Sequence, residues 1–69
     1  MEAASQIRQI LLHLKQRGSI TQLEAFQRYN CFRLGARIYD LRRSGVEITT
    51  TRETNAQNKN YARYRLIQK

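Results

Sequence analysis

Arginine is the side chain through which this sequence offers chemistry. Ten of the thirteen basic residues are arginine, set against five acidic ones, for a formal net charge of +8 over 69 residues. A guanidinium is a planar fork that bonds two acceptors at once, such as O6 and N7 of guanine or two phosphate oxygens. The densest set lies in residues 32–44, where Arg33 and Arg37 stand four apart and Arg42 and Arg43 follow. At about 100° per residue of helix, Phe32, Ala36, Tyr39, Asp40 and Arg43 share one side, flanked by Arg33 and Arg37. That side suits a DNA major groove, which is about 12 Å wide and admits one helix. Arg33 and Arg37 are then the expected base readers, with Ala36 and Phe32 placed for a thymine methyl. Asp40 either pairs with Arg37 and Arg43 at helical spacing or accepts from cytosine N4.

Other polar residues suit phosphate, whose contacts position a protein without specifying sequence. Arg42 and Arg43 sit at the end of the arginine-rich segment. Thr21 and Gln22 open a preceding helix, where free amides and the positive end of the dipole favour an anion, although Thr21 serves equally as a plain cap. Arg52, Lys59, Asn60 and Arg63 fall on a hairpin that either grips DNA backbone or is solvated, with Glu47 paired across strands to Arg63 or Arg65.

The sequence lacks the sets that other chemistries need. Cys31 and His13 are single residues of their types, so neither an internal disulfide nor a quartet of zinc ligands is available. No carboxylate pair, phosphate-cradling loop or nucleophile–base set can be assembled, and the chain is expected to be no enzyme, with no catalytic residue, metal, cofactor or small-molecule substrate. Cys31 and His13 are read as structural. The longest apolar run is Ile10 to Leu12, far short of the 18 or so residues of a membrane span, and the first fifteen residues lack the ordered regions of a secretory signal. A cytoplasmic location is expected.

These side chains must be positioned by one small domain, because chains of this size bury only about 60% of their unfolded surface and cannot support two cores. Ile7, Ile10, Leu11 and Leu14 follow the spacing of one helical face, which predicts a helix over 5–17 ended by Gly18. Thr21 to Glu24 matches a capping box opening a helix over 22–29, with Asn30 suited to a left-handed turn. Leu34, Ile38 and Leu41 predict the third helix, 32–44, ended by Gly45. Val46, Ile48 and Thr50 then alternate with polar residues, giving a strand over 46–52, and a second over 60–67 closes a two-stranded antiparallel hairpin. Ser19 and Ile20 are too short for an element of their own. The predicted core is Ile7, Ile10, Leu11, Leu14, Ile20, Leu23, Phe26, Leu34, Ile38, Leu41, Val46, Ile48, Tyr64 and Leu66.

The run Thr21-Gln-Leu-Glu-Ala-Phe26, then Arg33-Leu-Gly-Ala-Arg-Ile-Tyr-Asp-Leu-Arg-Arg-Ser-Gly-Val-Glu-Ile48, then Tyr64-Arg-Leu66, resembles the small winged helix-turn-helix proteins of phages and prophages. The likeness spans about Ser19 to Leu66, and its most specific piece is Arg33 to Ile48, where an arginine-bearing helix ends in glycine and runs directly into a strand. It implies an α+β winged helix-turn-helix in residues 1–69, a three-helix bundle followed by a hairpin wing. It further implies a double-stranded DNA-binding regulator in a bacterial or phage-infected cell. A unit this small is expected to act on DNA either as a homodimer or with a partner, since one copy contacts few base pairs. Two rival readings stand beside it. One is a module that binds and inhibits an acidic host protein. The other is a single-stranded RNA binder stacking bases on Tyr29, Tyr39, Tyr61 and Tyr64, of which Tyr64 also fits the core.

Overall fold

A computed structural model gives the fold and describes residues 3–67. The elements are α1 (Ala3–Arg17), β1 (Ser19–Thr21), α2 (Gln22–Tyr29), α3 (Leu34–Arg43), β2 (Ile48–Thr54) and β3 (Asn60–Leu66). α1 buries Ile10 and Leu14 and rests Ile7 and Leu11 half-buried on the core. It stops at Gly18, whose φ of 88° lies in the left-handed region. α2 starts on the expected capping box, in which the Glu24 N–H donates to Thr21 Oγ1 (3.3 Å) and the Thr21 N–H donates to Glu24 Oε1 (3.0 Å). Asn30 closes α2 in the left-handed conformation, φ 56°.

The sheet has three antiparallel strands in the order β1-β3-β2, with Ile20 and Thr50 flanking Tyr64 on either side. The third strand corrects the expectation of a bare hairpin. Ser19–Thr21 is too short to show a period of two, and it becomes a strand because β3 offers a ladder beside it while Ile20 is drawn into the core. Boundaries shift as well. α3 begins at Leu34 because Arg33 has φ −129° and ψ 68°, outside the helical region. β2 begins at Ile48 and runs on to Thr54, so Glu53 is a strand residue. β3 ends at Leu66.

Ile10, Leu14, Ile20, Ala25, Cys31, Leu34, Ile38, Leu41 and Ile48 form the buried core, with Tyr29, Val46, Tyr64 and Leu66 packed on its margin. Leu23 and Phe26, both expected inside, are 63% and 44% exposed. The eight residues of α2 turn the Ala25 and Tyr29 side inward, where a methyl lets the helix approach α1 closely, and Phe26 instead stacks on Phe32 with ring centroids 5.1 Å apart.

Two polar groups fix α2 against its neighbours. The Gln22 amide donates from Nε2 to the Cys31 carbonyl (2.7 Å) and accepts at Oε1 from the Leu34 N–H (2.9 Å). It thereby caps α3, whose own N-cap residue Arg33 makes no side-chain cap bond. His13 of α1 is 2% exposed, bonds the Tyr29 hydroxyl through Nδ1 (2.8 Å) and lies 4.0 Å from Glu24 through Nε2. The sequence suggested no carboxylate beside it, and the fold brings Glu24 there. Burial lowers the His13 pKa below the ordinary 6.5, with the Glu24 carboxylate opposing.

Two predictions follow from these contacts. Gln22→Ala strands one carbonyl and one amide in the helix–helix turn and should lower stability by about 1–3 kcal/mol. Urea unfolding of this variant beside the exposed control Gln27→Ala checks it, and equal midpoints would refute the role. Because the folded chain takes up the His13 proton less readily than the unfolded chain, its stability is full above pH 6.5 and falls as pH drops below that value. Glu53, whose pKa lies below the usual 4.5, loses its contribution only at pH values beneath that and leaves this window clear. His13→Gln should be less stable at neutral pH yet flatter between pH 7 and 5, as read by urea midpoints along the series.

Candidate nucleic-acid interface

α3 turns Leu34, Ile38 and Leu41 inward and presents Gly35, Tyr39, Arg42 and Arg43 to solvent, with Ala36, Arg37 and Asp40 half-buried. Arg33 is exposed at its N-terminus beside Phe32, and with Gln6 and Arg37 these residues line a recess of about 210 Å³. Arg37 pairs with Asp40 one turn on at 3.5 Å, and only 20% of its side chain is exposed. Its Nε is buried and has no bonding partner. Asp40 therefore takes Arg37 of its two expected partners, while the Arg43 guanidinium lies over the Tyr39 ring, 5.8 Å from its centroid.

The two faces of the β2–β3 hairpin carry charge differently. Register places Ile48, Thr50 and Arg52 on the same face as Leu66, Tyr64 and Ala62. This face turns toward the helices, since Tyr64 packs on the core. Arg52 extends it beyond the core on the α3 side, exposed. The opposite face sets one carboxylate against two arginines: Glu53 accepts from Tyr61 Oη (2.8 Å), Arg63 Nε (2.9 Å) and Arg65 Nη2 (3.4 Å). The Arg63 bond is the main cause holding the Glu53 pKa below the usual carboxylate value, and Arg63 also reaches Ser19 Oγ (3.1 Å). At the hairpin tip Asn55 Oδ1 accepts from the Gln57 and Lys59 amides (2.9 and 3.0 Å), and Asn58 takes φ 64°. The tip is thus built by its own side chains.

The expected phosphate ligands separate into two sets. Thr21 is buried in its cap, Gln22 spans the turn, Arg42 donates to Ile48 and Thr50, and Arg63 serves Glu53. Arg43, Arg52 and Lys59 are exposed, as is Asn60, whose Oδ1 accepts from Thr54. Among the described residues, no ion pair engages Arg33, Arg43, Arg52 or Lys59. Four unpaired cations thus run from the start of α3 to its end and along the hairpin. A second recess, about 380 Å³, lies between the start of α2 and the hairpin. Its polar residues Thr21, Gln22, Glu24, Asn55, Tyr61 and Arg63 each bond within the fold.

Sequence reading passed over Glu53 because it was assigned to the connecting segment. The signal was present in the alternation of Thr49, Thr51 and Glu53, which places the carboxylate opposite the arginines of β3. Among the described residues, no helix is long and apolar enough to cross a membrane.

A model of the winged helix-turn-helix domain matches residues 5–69. No curated protein and no solved structure matches the chain. The order helix, strand, two helices and hairpin agrees with that match over nearly the whole length, and the chain belongs to the winged helix-turn-helix domain family.

Proposed function

We propose that this protein binds double-stranded DNA, with α3 in the major groove and the β2–β3 hairpin on the backbone beside it. The observation that carries this reading is the row of four cations without counter-ions, Arg33, Arg43, Arg52 and Lys59, on the exposed side of α3 and the hairpin. In this arrangement Arg33 meets a guanine edge, Ala36 faces a base methyl, and Arg37 joins them by exchanging Asp40 for a base. Arg43, Arg52, Lys59 and Asn60 hold phosphates. Thr21, Gln22, Arg42 and Arg63 are left out of the contact set because their polar groups are already engaged.

The physiological role that fits is a small phage or prophage regulator acting by occlusion. It works as two copies on DNA, because ten residues of α3 span about 15 Å, or about four base pairs. The charge of +8 holds free copies apart until phosphates neutralise it. One observation favours a second reading. Leu23, Phe26 and Phe32 present a cluster of exposed apolar side chains beside Arg33, Phe32 being 69% exposed, and such patches mark protein contacts. That surface suits an acidic protein partner.

Fluorescence anisotropy with random duplex DNA over a salt series decides between them. The three cationic phosphate contacts, Arg43, Arg52 and Lys59, give a log–log slope of about −2.7, from about 0.9 per phosphate. Absence of duplex binding at low salt would remove the DNA reading. On a duplex obtained by binding-site selection, Arg33→Ala should cost about 1–3 kcal/mol and relax one base position, while Lys59→Ala weakens every sequence alike. Sequence-blind losses from both variants would refute Arg33 as a reader.

A further inference from the structure

Arg42 makes the most fully bonded contact between the reading helix and the wing. From the last turn of α3 it donates Nε and Nη2 to the Ile48 carbonyl (3.1 and 2.9 Å) and Nη2 to Thr50 Oγ1 (2.9 Å). The carbonyl it engages points away from the sheet. The Ile67 N–H donates to the Glu47 carbonyl (2.9 Å), which places Glu47 toward the β3 side of the ladder. Backbone groups of successive residues in an antiparallel strand point to opposite edges, so the Ile48 carbonyl points off the free edge of β2 while its side chain stays in the core. β2 is an edge strand in the order β1-β3-β2, and among the described residues no strand lies beyond it to donate to that carbonyl. Arg42 fills the place of the missing neighbour.

We propose that Arg42 is a positioning residue that sets the angle of the wing to the reading helix. This differs from the phosphate ligand suggested by its place in the sequence, and it rests on the DNA-binding reading above. Two anchors two residues apart on β2 fix the direction of the strand as well as its position. From Thr50 to the tip at Asn55 is about 17 Å at roughly 3.3 Å per residue, so a swing of about 10° at the anchors displaces the tip by about 3 Å. A shift that large removes any hydrogen bond from the tip to a phosphate, since such bonds span only about 2.7–3.2 Å. Arg52 and Lys59 lie on the far side of those anchors, and their contacts depend on the angle that Arg42 sets. A lysine keeps the charge but lacks the fork that grips one carbonyl twice while reaching a hydroxyl.

Arg42→Lys therefore separates the two roles. For a positioning residue, Arg42→Lys and Arg42→Gln weaken binding to the selected duplex equally, by roughly tenfold. Both also lose hydroxyl-radical protection on the wing-side flank and flatten the salt slope by about 1.8, the loss of two phosphates. For a phosphate ligand, Arg42→Lys retains wild-type affinity and footprint while Arg42→Gln loses a slope of about 0.9, and that result overturns the proposal. Residual dipolar couplings of the free protein supply a readout independent of DNA. The orientation of β2–β3 relative to α3 should change in Arg42→Lys, and an unchanged orientation overturns the proposal. Thr50→Val, which removes one anchor only, should give an intermediate orientation even where Arg42→Gln fails to fold. Failure of the wild type to bind any duplex would sink the DNA reading, and the couplings would still decide whether Arg42 sets the angle.

Discussion

The relation between α2 and α3 rests on one primary amide. Helix ends leave backbone groups without partners, and the turn joining these helices contains a carbonyl at Cys31 and an amide at Leu34 that neither helix supplies for. Gln22 serves both from the first turn of α2. The Cys31 side chain is buried in the core, so the turn is anchored by packing as well as by the amide. The consequence reaches the surface, because the first turn of α3 carries Arg33, Ala36 and Arg37. Their direction follows from where Leu34 is held. An ordinary N-cap at position 33 would accept from the Gly35 or Ala36 amide and leave that of Leu34 unserved, and it would replace the arginine. Moving the cap to Gln22 leaves Arg33 free for the surface.

A similar division runs through the charges. Of the five acidic residues, Glu24 is engaged at the start of α2, close to His13, and Glu53 holds Arg63 and Arg65 on the outer face of the sheet. Both lie away from the exposed side of α3. Asp40 alone sits on α3, and it pairs inward with Arg37. Among the described residues, Arg33, Arg43 and Arg52 lie without counter-ions on α3 and the helix-facing side of the hairpin, Arg8, Lys15, Arg17 and Arg28 do so on α1 and α2, and the outer face of the sheet sets Glu53 against two arginines.

Much of this was legible in the sequence, and the reason is local. Gly18, the Thr21–Glu24 capping box, Asn30 and Gly45 act within a few residues of themselves, so the three helices and their order follow from nearest neighbours. The i, i+4, i+7 set of Leu34, Ile38 and Leu41 is long enough to define a buried side, and the exposed side of α3 follows from it. What was not legible depends on partners distant in sequence. β1 exists because Tyr64 and its neighbours lie beside it, 44 residues away in the register Ile20↔Tyr64. Leu23 and Phe26 look like an inward pair, since two positions cannot fix the phase of an eight-residue helix, and Ala25 carries too little hydrophobicity to reveal that it points inward. Arg42 and Arg63 read as surface cations because charge alone does not disclose whether an acceptor waits inside the fold. For Arg42 the acceptor is a backbone carbonyl, which no side-chain pattern encodes.

The last of these cases bears on how so small a protein would handle DNA. A helix covering about four base pairs distinguishes at most a few hundred sequences, and phosphate contacts add affinity without information. The hairpin therefore cannot repair a short reading surface by adding contacts of its own. It can only hold the helix in one register, and a hairpin that pivots holds no register at all. Asn55 and Asn58 stiffen the tip, the Glu53 network ties β2 to β3, and Arg42 joins that unit to α3. Each bond removes one freedom between the cations at the far end of the wing and the arginine at the start of the helix. Wing and helix then meet the duplex as one body, and a phosphate grip at one end restricts which base pairs the other end can reach.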